Sequence, residues 1–128
     1  MARLTLRVAG AAAPRTVWHR YVYVDRWARW SPHIRAVRAG RRTMAPGLSG
    51  TVESVAGIRA VFVVDDVDAR HRVWTWRVRC GPVRVVLRHD VRKHPKGSAT
   101  RLTMRGPLPV LPAYAPIALP ALRRLVRP

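Results

Sequence analysis

The residue with the strongest claim to chemistry is His89. It lies on a stretch of period two in which Val83, Val85, Leu87, His89 and Val91 share one face, opposite Arg84, Arg88, Asp90 and Arg92. An imidazole among aliphatic neighbours needs a hydrogen-bond partner. With a pKa near neutrality it suits a general acid or base, for an aldol cyclisation or a dehydration. Asp66 shares parity with Phe62 and Val64 and is placed to orient such a ring. A histidine at a strand end, satisfied by a neighbouring carbonyl, is the other reading of the same pattern.

The elements that must position His89 are legible around it. Before Gly81-Pro82 a second alternating stretch sends Trp74, Trp76, Val78 and Cys80 one way and Thr75, Arg77 and Arg79 the other. Two paired strands with one aromatic and one arginine face require something laid over the aromatic side. Leu4, Leu6 and Val8 alternate with Thr5 and Arg7 in a first strand ending at Gly10. Residues 11–13 and Pro14 then open a helix that buries Val17, Tyr21, Val24 and Ala28. Asp25 is placed to cap a short second helix carrying Trp27 and Trp30, closed by Ser31-Pro32. Further strands are expected near residues 34–39, 50–55, 59–65 and 99–105, with Lys96-Gly97 turning between the last two. A C-terminal helix follows, with Ala113, Tyr114, Ile117, Ala118, Ala121, Leu122 and Leu125 on its apolar face. In it Pro116 fits the first turn, and Pro120 should kink or restart the helix. Its terminal arginines, Arg123, Arg124 and Arg127, suit the negative end of the helix dipole.

With 128 residues, nearly half of them hydrophobic, the chain is expected to be one folded domain, 1–128. Its formal charge of +19 comes from 25 basic residues against 6 acidic ones, and all the basic residues but Lys93 and Lys96 are arginine. Arg77, Arg79, Arg84, Arg88, Arg101 and Arg105 should form a basic outer sheet face, able to meet a polyanion or an anionic membrane surface. The tryptophans lie on the other face, which disfavours specific nucleic-acid binding through base stacking. A genome that favours arginine codons accounts for the same charge without a partner.

The single Cys80 excludes an internal disulfide and a cysteine metal cluster, which suits a reducing cytoplasm. The N-terminus lacks a signal-peptide core, and the longest uncharged run, residues 106–122, carries five prolines and is a poor membrane span. His19, His33, His71 and His94 fall on separate elements without companions at ligand spacing, so no metal is expected. Neither a nucleophile elbow nor a phosphate-cradling glycine loop is present, and no cofactor is expected.

The order of strand, two helices, about six strands and a long helix resembles the helix-grip fold of the START and Bet v 1-like (SRPBCC) superfamily. The likeness to its polyketide cyclase/dehydrase branch is carried by Val17-Trp18 with Asp25, Trp27, Trp30 and Pro32. It continues through Gly50-Thr51-Val52, Trp74-Thr75-Trp76, Leu87-Arg88-His89, Gly97, Gly106-Pro107 and Tyr114. The resemblance implies an α+β helix-grip fold: a curved antiparallel sheet of six or seven strands around a long C-terminal helix, with two short helices after the first strand. It also implies a cavity between sheet and helix. Strand and helix parity nominate its lining as Phe62, Trp74, Trp76, Leu87, His89, Leu102 and Met104 with Tyr114, Ile117 and Ala121. The leading expectation is binding of a hydrophobic or aromatic small molecule, lipid- or polyketide-like. The alternatives are a cyclase or dehydratase using His89 as acid/base, with an arginine or Tyr114 stabilising an enolate, and an accessory protein that binds polyanions or membrane surfaces. The oligomeric state is left open.

Overall fold

In the computed structural model, which describes residues 2–128, the period-two stretches are strands. They are β1 (Ala2–Gly10), β2 (Ile34–Ala39), β3 (Ser49–Ser54), β4 (Arg59–Asp68), β5 (Val73–Cys80), β6 (Val83–His94) and β7 (Gly97–Gly106). They make one antiparallel sheet in the order β1-β7-β6-β5-β4-β3-β2. Each strand from β2 onward pairs with its successor, and β1 closes onto the last.

Directly opposed residues share a face, so the registers carry each strand's alternation across the sheet. Trp76, Leu87, Met104 and Leu4 form one inner row; Trp74, His89, Leu102 and Leu6 form the next. Thr75, Arg88, Thr103 and Thr5 form an outer row between them. The covering helices are α1 (Pro14–Val22), α2 (Trp27–Trp30) and α3 (Val110–Leu125), with a 3-10 turn at Val24–Arg26. Proline opens α1 where its missing N–H costs nothing. The α1 helix lies on β6 and β7, α2 on β2, and α3 on β1 and β7. The Asp25 side chain makes no cap; its carboxylate pairs with Arg42 at 3.3 Å.

The C-terminal helix departs from expectation. It starts at Val110, so Pro112 takes the first turn, and Pro116 and Pro120 lie inside one helix that runs on to Leu125. The spacing of four puts all three prolines on one stripe, and all three are exposed. The carbonyls of Pro112 and Pro116 lose their donors on the side open to water, where hydration can replace them. Leu111, Ala118, Leu122 and Leu125, buried on the other side, hold the helix to the core.

Gly97 turns β6 into β7 with φ +143°, and a Cβ there would meet the Ala11 carbonyl oxygen at 2.6 Å. Gly97→Ala should lower stability by roughly 1–3 kcal/mol, read as a fall in urea midpoint at unchanged slope. An unchanged midpoint would show that this turn does not touch residues 11–12.

Candidate ligand-binding site

The inner face is an aromatic cluster closed from above by the short helices. Trp74 and Trp76 lie side by side on β5, with ring centres 5.3 Å apart, and Phe62 on β4 meets Trp76 edge-on at 5.5 Å. Trp27 of α2 caps the group, 5.1 Å from Trp76 and 5.6 Å from Trp74, and donates its indole N–H to the Tyr21 carbonyl at 2.9 Å. Tyr21 of α1 stands edge-on to Trp74 and His89. Such tilted and edge-to-face pairs are the favoured geometries for buried rings.

His89 stacks flat on Trp74, with centres 4.4 Å apart and planes 8° apart. Its hydrogen bonds follow from the two ends of a chain. An indole can only donate, so Trp76 Nε1 gives its proton to His89 Nε2 at 3.2 Å. His89 Nδ1 therefore holds the ring proton and donates it to the Tyr21 hydroxyl at 3.2 Å. Tyr21 donates on to Thr100 Oγ1 at 2.6 Å, and Thr100 to the Asp90 carbonyl at 3.0 Å, which can only accept. Every group in the chain is satisfied once, with His89 neutral. Burial pushes its pKa down to about 3, and burial likewise drives the Tyr21 hydroxyl well above its ordinary range.

One polar atom of the ring cluster is left over. Trp74 Nε1 has no hydrogen-bond partner among the described residues, although it lies inside the cluster.

Of the residues nominated from the sequence, Phe62, Trp74, Trp76, Leu87, His89, Leu102 and Met104 come together on the inner face, all buried. The three from the C-terminal helix divide. Ala121 is buried, Tyr114 is half-buried, and Ile117 is 45% exposed. Ala118, Leu122 and Leu125 lie on the covered stripe as expected; the helix starts earlier, so Leu111 joins them, and Ala113 and Ile117 at the stripe's edge are exposed. Tyr114 faces His33, its hydroxyl 3.3 Å from Nε2, while Nδ1 of the same ring lies 3.1 Å from Ser31 Oγ. Burial raises the Tyr114 pKa to about 12 and lowers that of His33.

Asp66 does not orient His89. A bulge between Val64 and Asp66 shifts the register, so Val67 takes the inward position opposite Trp74 and Asp66 is exposed. The partner of His89 is Tyr21, which the sequence marked only as part of a buried helical face; Thr100 and His33 carried no signal of their own.

The outer face holds the expected arginines. A cleft of about 390 Å³ there is lined by Arg3, Arg7, Arg88, Arg101 and Arg105 with threonines between them. At its end the buried Asp90 carboxylate accepts from Arg101 at 2.8 Å and Arg88 at 3.3 Å. Among the described residues no group of three or more His, Cys, Asp or Glu could hold a metal, and no helix is long and apolar enough to cross a membrane.

A family model described as polyketide cyclase / dehydrase and lipid transport matches residues 1–128. Comparison with curated proteins gives no significant match. Among solved structures the chain is similar to the protein XoxI from Bacillus cereus, with TM-score 0.83 and 14% identity over 98% of this chain and 93% of that one. It is similar to Ara h 8.0201, with TM-score 0.79 and 11% identity over 98% and 95%. It also resembles the hypothetical protein jhp0584 from Helicobacter pylori, with TM-score 0.76 and 13% identity over 97% and 84%. Seven antiparallel strands, two short helices after the first and a C-terminal helix make this the Bet v 1-like helix-grip fold.

Proposed function

We propose that this chain, which belongs to the polyketide cyclase / dehydrase and lipid transport family, binds a hydrophobic small molecule, lipid- or polyketide-like, against the inner aromatic face. The observation that carries this reading is the orphaned Trp74 N–H within the ring cluster. A buried donor without an acceptor costs about 1–3 kcal/mol, and an oxygen atom on a bound ligand would recover it. The ligand is then a flat or extended apolar molecule with a carbonyl or hydroxyl. Ring area supplies affinity, and one hydrogen bond supplies orientation. The ligand would enter between α3 and the segment after α2, where half-buried Tyr114 and His33 meet by one 3.3 Å hydrogen bond and an edge-on ring contact.

Binding has more support than turnover. Both nitrogens of His89 are engaged by protein groups, Nε2 accepting from Trp76 and Nδ1 giving its one proton to Tyr21, and burial disfavours the charged ring, so no free acid or base faces a substrate.

The test uses prodan, a neutral fluorophore with a naphthalene ring and a ketone whose emission reports hydrogen bonding. Saturable binding with energy transfer from tryptophan is expected. Trp76→Ala should weaken it by at least about tenfold. Trp74→Phe should weaken it less and shift the emission to the blue, because the ketone loses its donor. Native mass spectrometry of the gently purified protein should find a hydrophobic adduct. No saturable prodan binding, together with a clean apo mass, would overturn the proposal.

A further inference from the structure

A second cleft, of about 720 Å³, lies on the helical side and shares no lining residue with the ring cluster. Three segments meet there and each contributes two arginines: Arg15 and Arg20 from α1, Arg26 and Arg29 from the segment through α2, and Arg124 at the end of α3 with Arg127 just past it. No aspartate or glutamate lines it. Among the described residues none of the six arginines forms an ion pair, although Asp25 stands next to Arg26 in sequence and is paired with Arg42 instead. One of the six is held by the backbone. Arg20 donates to the Leu125 carbonyl at 2.7 Å and to that of Arg127, tying α1 to the end of α3. Arg15, Arg29, Arg124 and Arg127 are exposed and uncommitted.

Like charges gathered around one volume repel each other, and an anion inside that volume relieves them all at once. Guanidinium groups offer paired donors matched to phosphate oxygens. The aromatic groups at the cleft are already engaged: Trp30 gives its N–H to the Arg20 carbonyl at 3.3 Å and stands edge-on to Tyr21. The Tyr23 ring already lies against the His19 ring at 4.5 Å and the Arg26 guanidinium at 5.1 Å. The charges gather around one open cleft from three segments and do not follow a line, which favours a compact ligand over a strand of nucleic acid.

We infer that this cleft binds a compact anion carrying three or more phosphate groups, held by Arg15, Arg26, Arg29, Arg124 and Arg127. Calorimetric titration with inorganic tripolyphosphate at about 150 mM salt should show one site, with orthophosphate far weaker. The double variant R29Q/R124Q should lose at least about tenfold in affinity, while R84Q/R105Q on the outer sheet face should stay within about twofold of the parent. Both pairs are exposed, so unchanged urea midpoints will show that the variants fold. Equal losses in the two double variants would reduce the effect to bulk charge and overturn the site. So would no tripolyphosphate binding at that salt, or a short single-stranded oligonucleotide that binds more tightly and depends on Arg84 and Arg105. Prodan binding should be indifferent to R29Q/R124Q, so failure here is separable from failure of the hydrophobic site.

Discussion

Trp27→Ala lowers the unfolding free energy by about 3–5 kcal/mol, the largest single effect expected in this protein. The helix that carries Trp27 is one turn long and has no stability of its own. What holds it is the indole, packed on Trp76, Trp74 and Phe62 and bonded to the Tyr21 carbonyl. Truncation opens a void among three rings and releases the segment that leads to His33. Since a domain of this size has only about 5–15 kcal/mol in hand, the variant should sit close to its unfolding transition. Trp27→Phe keeps most of the ring area and gives up one hydrogen bond, at about 1 kcal/mol. Urea unfolding of both variants checks this. A loss under about 1 kcal/mol for Trp27→Ala would mean that α2 is not what closes the inner face.

The second large effect is on pH. In the unfolded chain His89 takes up a proton near its ordinary pKa of 6.5; in the folded chain it does so only at about 3. Below 6.5 the unfolded state therefore gains protons that the native state refuses. Stability falls as pH drops through this window, and it is fully retained above it. From pH 7 to pH 5 the loss from His89 is about 2 kcal/mol. His33, whose pKa is also lowered by burial, acts in the same direction. His89→Gln should flatten the slope over this range, whatever it does to stability at pH 7. Tyr21→Phe removes the acceptor of the His89 Nδ1 proton and should cost about 1–3 kcal/mol at pH 7. Urea midpoints at the two pH values measure both. A stability as high at pH 5 as at pH 7 would show that the imidazole is not buried neutral.

Most of the sheet could be read from its residues because each strand repeats one rule, apolar in and arginine out. The boundaries of β2 fall where the sequence placed them, and those of β4 and β7 run longer. Reading failed where the period changes. One extra residue near Asp65 turned Asp66 outward and Val67 inward, and nothing in a Val-Asp-Asp-Val run marks where a bulge falls. It failed again in α3, where the prolines argued against a continuous helix that a buried leucine stripe on the other side allows. The hydroxyl partner of His89, Tyr21, comes from α1, 68 positions upstream, and the next link in the chain, Thr100, from β7, 11 positions downstream. Parity within a strand carries no information about such distant neighbours.

The pairing of β1 with β7 has a consequence for synthesis. Ala2 finds its neighbour only at Gly106, so the first strand must wait for nearly the whole chain before it has a place. Through that interval Leu4, Leu6 and Val8 form an uncovered β segment of the kind that pairs between molecules. Arg3 and Arg7 alternate with them on the opposite face, and like charges directly opposed across two strands disfavour pairing. The arginines that later line the outer face thus also keep newly made chains from joining one another before each can close its own sheet.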